Sequence, residues 1–466
     1  MTTLTFPAGF RWGTATSAYQ IEGAVDQDGR TESIWDVFCR VPGAIANSDD
    51  GTVAVDHYHR YAQDVAQLAE LGMDTYRFSV SWSRVLRPDG TPNPAGLDFY
   101  SRLVDELLAV GIAPWLTLYH WDLPAGIAGG WTERDTALKF ADYAVVAHAA
   151  LGDRVRQWTT LNEPWCSAFL GYASGEHAPG HTDPGEAVRA VHHLLLGHGL
   201  ATQALRAADS NLHTGITLNF TPVEPADPGA AEDVEAARRI DGTAHRLFID
   251  PLLRGSYPSD VLADLGPLWT PDLVAEGDAG IIATPIDVLG VNYYTTNQVR
   301  ARRPGEVFEP EVVRGRMRPS PHITAPDAVA TDRGLPKTAM GWDVDPDGLY
   351  RLLVGLHEQY SGPGGVPLVI TENGAAFHDV VGPDGFVDDQ DRLDYVRSHL
   401  IAAHRALSEG VDLRGYLLWS MMDNFEWSHG YRERFGILRV DEQFRRLPKA
   451  SALWYSEVAR SGGLTL

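Results

Sequence analysis

The 466 residues predict an α/β fold, a single (β/α)8 barrel of the TIM type whose extended loops after the strands form a mouth. Three observations support this. Eight short apolar runs occur along the chain, segments of helical periodicity separate them, and most runs end in amide, carboxylate or aromatic residues. Parallel neighbours require long crossovers, and eight strands close the sheet. An open doubly wound sheet would carry a Gly-x-Gly-x-x-Gly turn after an early strand, and the sequence has none. Length alone suggests about three domains, but a barrel with insertions can absorb more than about 400 residues, so one domain over 1–466 is expected.

The first strand is expected over Phe10 to Ala18, running into Tyr19-Gln20. Its helix covers Val55 to Leu71, where Tyr58, Tyr61, Val65 and Leu68 recur at steps of three and four, and Gly72 closes it. Strand two, Asp74 to Trp82, leads to a helix over Leu97 to Val110. Strand three, Ala113 to Trp121, leads to a helix over Glu133 to Leu151. Strand four is Gln157 to Glu163, ended by Pro164, which cannot continue a ladder. A glycine-, proline- and histidine-bearing loop, Gly171 to Gly185, precedes a helix over Glu186 to Asp209.

Strand five is His213 to Phe220, its helix Ala231 to Asp250, and strand six Asp287 to Tyr294. Arg300 to Pro346 reads as a long polar loop, and loops of that length are usually functional. The helix Leu349 to Gln359 precedes strand seven, where Leu368, Val369 and Ile370 run into Thr371-Glu372-Asn373 before Gly374 turns the chain. The helix Asp391 to Glu409 carries Leu393, Val396, Leu400, Ala403 and Leu407 on one face. Strand eight is Leu413 to Met421.

Barrel active sites lie at the C-terminal strand ends. Here those ends offer Gln20, Arg77 to Trp82, His120-Trp121, Asn162-Glu163, Asn219, Asn292 with Tyr294, Glu372 and Trp419. Amides and carboxylates pair with sugar hydroxyls, and aromatic rings pack on sugar C–H faces. If Glu163 and Glu372 share one mouth, they form the carboxylate pair that glycosidic cleavage requires.

Composition narrows the remaining classes. With 38 basic against 62 acidic residues and a net charge of −24, nucleic acid, anionic lipid and polyphosphate partners are disfavoured. The two cysteines, Cys39 and Cys166, make no disulfide framework, and Cys166, three residues beyond Glu163, is expected only to pack beside the site. Residues 1–10 lack signal-peptide character and no run reaches the roughly 18 apolar residues of a membrane span, so a cytoplasmic location is expected. Among 17 histidines, adjacent His192 and His193 would diverge by about 100° on a helix, and His-Glu-x-x-His is absent. No metal or other cofactor is expected, and a metal-dependent barrel hydrolase is disfavoured on the same grounds.

Several stretches together resemble glycoside hydrolase family 1: F-P-A-G-F-R-W-G-T-A-T-S-A-Y-Q-I-E-G from Phe6, Y-R-F-S-V-S-W-S-R from Tyr76, T-L-N-E-P from Thr160, V-N-Y-Y-T from Val291, I-T-E-N-G from Ile370 and D-N-F-E-W-S-H-G-Y from Asp423. The resemblance implies retaining chemistry and β-glucosidase-like activity on cellobiose, short β-linked oligosaccharides and aryl glucosides. Glu163 would be the acid/base and Glu372 the nucleophile, with Arg77 and Tyr294 beside Glu372 favouring its charged form. Gln20, His120, Asn162, Glu426 and Trp427 resemble the family's contacts to the non-reducing sugar, and Trp419 its stacking floor. Trp121 and Asn292 join this expected substrate-binding set from the strand-end pattern. Glu426 would accept from free 4- and 6-hydroxyls and repel a 6-phosphate. Trp165 and Trp342 are expected on the leaving-group side, with Asn219 a polar contact. The rival classes are a non-catalytic sugar-binding relative of the fold and a metal-dependent barrel hydrolase. Glucose against galactose or fucose, and monomer against homo-oligomer, stay open.

Overall fold

A computed structural model describes residues 3–307 and 311–466. Eight parallel strands close into a barrel: β1 Arg11–Ala15, β2 Thr75–Ser79, β3 Ala113–Tyr119, β4 Gln157–Asn162, β5 His213–Asn219, β6 Val288–Asn292, β7 Leu368–Asn373 and β8 Leu413–Trp419. Each strand pairs with its sequence neighbours, and β8 returns to β1 through pairs such as Trp419 with Ala15. Helices follow the strands: α1 His57–Glu70, α2 Pro94–Ala109, α3 Arg134–Leu151, α4 Pro184–Ala208, α5 Ala231–Asp241, α6 Leu247–Arg254, α7 Pro346–Leu356 and α8 Gln390–Ser408 lie in the crossovers, and α9 Ala450–Ser461 comes after β8.

Local chemistry sets several boundaries. The Asp183 carboxylate accepts from the amides of Gly185 and Glu186, and Pro184 begins α4 with φ already suited to a helix. Asp345 caps α7 in the same way, accepting from the Gly348 amide. Tyr58, Val65 and Leu68 of α1 and Val396, Leu400 and Ala403 of α8 are buried, as their spacing predicts.

Alternation along the strands divides the core. Leu116 and Leu118, Leu289 and Val291, Leu368 and Ile370, and Tyr416 and Leu418 join the large apolar core that includes the helices. One step out of phase, Trp115, Val288, Val369 and Leu417 form a separate cluster inside the barrel. The ladders lose that regularity where the site begins. Register shifts fall between Thr159 and Asn162 on β4 and between Ile370 and Glu372 on β7. Strict alternation would send Asn162 outward with Thr160, which bonds His198 of α4, and Glu372 outward with Ile370. The irregularities turn both toward the barrel axis.

Some expected boundaries are corrected. Strand one stops at Ala15, and Ala18–Ile21 is a helical turn that carries Gln20. Strand two stops at Ser79, with Trp82–Val85 helical, and strand three at Tyr119. The helix expected over Ala231 to Asp250 divides at Gly242, where a wider turn, Gly242–Arg246, separates α5 from α6. The start of the loop expected at Gly171 belongs to a wide helical segment, Cys166–Ala173. The stretch expected to be an irregular loop over Arg300 to Pro346 contains two antiparallel pairings: Glu311–Val313 with Arg316–Arg318, and Val329–Ala330 with Asn297–Arg300. Positions 308–310 of that stretch, and Met1 and Thr2 of the expected domain, lie outside the described residues.

Candidate active site

A cavity of about 350 Å³ opens at the C-terminal end of the barrel. Glu163 and Glu372 both line it, together with His120, Trp121, Trp165, Asn219, Tyr294, Trp342, Trp419, Glu426 and Trp427. A larger hollow of about 680 Å³ among Thr31, Trp82, Arg87, Pro124 and Lys139 includes neither glutamate. Volume therefore does not locate the chemistry; the paired carboxylates do.

The two glutamates are joined by a buried network. Arg77 on β2 places Nη1 2.5 Å from Glu372 Oε1, and its Nη2 donates to Asn162 Oδ1 at 2.7 Å. Asn292 at the end of β6 donates from Nδ2 to the same Asn162 oxygen at 3.1 Å and to Glu163 Oε1 at 2.7 Å. The Tyr294 hydroxyl donates to Glu372 Oε2 at 2.7 Å. Glu372 thus faces a buried cation and a hydroxyl donor, both of which stabilise its charge. Glu163 faces an uncharged amide. Burial, and then the charge of Glu372, push its carboxyl up to about 7. A cation and a hydroxyl stand on one carboxyl and only an amide and a thiol on the other, which can keep its proton, an asymmetry that a retaining pair uses.

Arg77, Asn162 and Asn292 do not line the cavity, and Gln20 lies behind it too. The Gln20 amide nitrogen donates to Asn424 Oδ1 and the Phe425 carbonyl and reaches Glu426 Oε2 at 3.5 Å, while its oxygen accepts from Ser17. In this arrangement Gln20 orients the loop that carries Glu426. Burial and the charges of Glu372 and Glu163 hold the Glu426 carboxyl well above the usual range. His120 accepts at Nε2 from Asn162 Nδ2 at 3.0 Å, and burial with the Arg77 charge holds its ring far below the ordinary histidine value, hence neutral.

Aromatic rings shape the walls. The His120 ring stacks near Trp419, with centroids 5.7 Å apart and planes 23° apart. Trp427 lies 4.5 Å from Trp121 and is backed by the parallel ring of Tyr19. Trp342 packs against Tyr294 and Phe435, and Trp165 lies beside Phe169 and His322. Three non-glycine residues of the cavity have left-handed backbone: Trp121 at φ 78°, Glu163 at 45° and Trp427 at 48°. Each such residue costs of order 1–3 kcal/mol and is held only by surrounding bonds. Here the Trp121 indole donates to the Asn162 carbonyl at 2.9 Å, and the Glu163 amide to the Thr217 carbonyl at 2.9 Å.

Every sequence-predicted site residue therefore lies in the cavity wall or in the hydrogen-bonded layer behind it. Sequence reasoning did not single out Leu170, Glu176, His177, Thr221, Thr295, Asn297, Met340, His429 or Phe435, all of which line the cavity. Glu176 and His177 belong to the expected loop over Gly171 to Gly185, Thr295 to the V-N-Y-Y-T stretch, Met340 to the long loop over Arg300 to Pro346 and His429 to the D-N-F-E-W-S-H-G-Y stretch; the others carried no local signal. Cys166 needs correction. It does more than pack, because its Sγ donates to Glu163 Oε2 at 3.1 Å. Of the two adjacent histidines weighed as metal ligands, His192 bonds Tyr257 and Asp278 and His193 bonds the Trp131 carbonyl.

Comparison with known proteins bears on this geometry. Residues 2–464 match the family model described as glycosyl hydrolase family 1. The chain is 48% identical to a bifunctional β-D-glucosidase/β-D-fucosidase of Bifidobacterium breve, over 97% of this chain and 98% of the relative. It is 44% identical to β-glucosidase A of Thermotoga maritima, over 98% of each. Among solved structures, a psychrophilic β-glucosidase from Micrococcus antarcticus superimposes with a TM-score of 0.95 at 49% identity, covering 99% of this chain and 100% of that one.

Proposed function

We propose that this chain, which belongs to glycosyl hydrolase family 1, is a retaining β-glucosidase in which Glu372 is the nucleophile and Glu163 the acid/base. The observation that carries the reading is that both glutamates line one cavity, with an arginine and a tyrosyl hydroxyl on Glu372 and only uncharged donors on Glu163. The names of the relatives support the β-glucosidase assignment.

In the first step a Glu372 oxygen attacks the anomeric carbon while Glu163 gives its proton to the departing glycosidic oxygen. The glycosyl–Glu372 ester forms and the alcohol leaves. Esterification removes the negative charge that pushes Glu163 upward, so Glu163 ionises more readily. It then takes a proton from water, whose oxygen attacks the anomeric carbon and returns Glu372 as carboxylate. Two inversions give net retention. A sugar alcohol in place of water would give transglycosylation.

The sugar is a terminal β-D-glucosyl unit, held between Glu426, His120 and the Trp419 and Trp427 rings, with Asn162 within reach of the 2-hydroxyl. Among the described residues no Lys or Arg lines the cavity, so a phosphorylated sugar would find no counter-charge there. Cellobiose, short β-oligosaccharides and aryl glucosides place their leaving groups between Trp165 and Trp342, with Asn219 at the rim. The partner is a small glycoside, all 466 residues serve as one catalytic domain, and two buried free thiols suit a reducing cytoplasm.

Proton NMR of the anomeric signals during aryl β-glucoside cleavage tests this. β-Glucose appearing first, and α-glucosyl azide from Glu372→Ala supplied with azide, are expected. α-Glucose appearing first would overturn retention, and no cleavage of any β-glycoside would favour a sugar-binding relative.

A further inference from the structure

Cys166 sits one turn beyond Glu163. β4 ends at Asn162, Glu163 takes its left-handed φ, and the chain enters the wide helical segment Cys166–Ala173 with the Cys166 amide donating to the Glu163 carbonyl at 2.9 Å. This geometry puts Sγ 3.1 Å from Glu163 Oε2, while Asn292 Nδ2 occupies Oε1 at 2.7 Å. An amide nitrogen can only donate, so Oε1 is an acceptor in either protonation state. The acidic proton therefore belongs on Oε2, the oxygen that the thiol faces. Burial and the nearby carboxylates of Glu163, Glu372 and Glu176 keep the thiol protonated, so it acts as a donor.

We propose that Cys166 is a positioning residue for the acid/base: its S–H bond favours the ionised form of Glu163 and sets the pH at which the acid form is lost. The inference rests on reading Glu163 as the acid/base. A donor bonds an anion more strongly than a neutral acid, so the thiol opposes the push from burial and from Glu372. That helps Glu163 ionise for the second step, where it must accept a proton. The other groups facing Glu163 are Glu372 from β7, Arg77 from β2, Tyr294 after β6 and Glu426 after β8, and Glu176 faces the thiol. None of them shares Oε2 in the described structure.

The test is a titration of the Glu163 side-chain carboxyl by ¹³C NMR on glutamate-labelled enzyme, the resonance being assigned by its loss in Glu163→Gln. The pH profile of kcat/KM on an alkyl β-glucoside, whose leaving group needs the acid, accompanies it. Cys166→Ala and Cys166→Val both remove the donor and are expected to raise the midpoint and the basic limb together, by about half a pH unit. Cys166→Ser, which restores a donor, is expected to bring both back toward or below the wild-type position. Ala and Val variants titrating as wild type, or Ser following Ala, would overturn the proposal while leaving Glu163 as acid/base. A Glu163→Gln enzyme that still hydrolyses the alkyl glucoside with the same basic limb would instead overturn the acid/base reading itself.

Discussion

Nη1 of Arg77 lies 2.5 Å from Oε1 of Glu372, and both side chains are almost wholly buried, at 1% and 4% exposure. A pair so far from solvent is not screened like a surface ion pair, and removing one partner strands the other charge. The same guanidinium also bonds Asn162, so one side chain braces the nucleophile and the residue before the acid/base.

Arg77→Met is therefore expected to fold with lower stability and to lose about 10²- to 10⁴-fold in kcat, the equivalent of breaking a buried pair at about 3–5 kcal/mol. Steady-state hydrolysis of an aryl glucoside measures it. Turnover within about threefold of wild type would remove Arg77 from the chemistry.

Glu163 links function to stability through pH. Burial and the Glu372 charge raise its carboxyl to about 7 in the fold, against about 4.3 in the unfolded chain. Between these values the native state holds a proton that the unfolded state has released, so this group's contribution to stability falls as pH rises. Above about 7 the native enzyme carries a buried charge beside Glu372. Glu163→Gln removes that charge, and its melting temperature relative to wild type is expected to be higher at about pH 8 than at about pH 5, by scanning calorimetry. A difference independent of pH would refute the shifted carboxyl. In the wild type, kcat/KM should decline above about pH 7 as the acid form disappears.

Trp342 is partly exposed in the cavity and rests on Tyr294 and Phe435. Trp342→Ala is expected to lower kcat/KM for an aryl glucoside about 5- to 10-fold more than for cellobiose, because an aromatic leaving group stacks on the indole. Equal losses on the two substrates would move Trp342 from the leaving-group side to general packing.

Much of this was legible in the chain. The period-3.6 faces of α1 and α8, the apolar runs of β5, β7 and β8, and the order of strand and helix all follow from residue spacing. The ends of the first three strands were less legible. Ala15 runs on into Thr16-Ser17-Ala18-Tyr19, Ser79 into Val80-Ser81-Trp82 and Tyr119 into His120-Trp121, none with a glycine or proline, so composition carries no stop. Gln20 was recognised, but its place in the layer behind the wall was not, because only the loop after β8 supplies its partners Asn424, Phe425 and Glu426.

The sequence by itself determined the barrel, the two strand-end glutamates and the aromatic and amide residues around them, because these depend on local periodicity and residue type. The tertiary structure decided which way Asn162 and Glu372 face and how the two glutamates differ. Two ladder irregularities, invisible to any period-2 reading, turn Asn162 and Glu372 inward. Arg77, 295 residues from Glu372, then pairs with one carboxyl, while burial and the charge of Glu372 let the other hold a proton. Protonation depends on through-space charge and burial, and only the closed barrel brings those groups together.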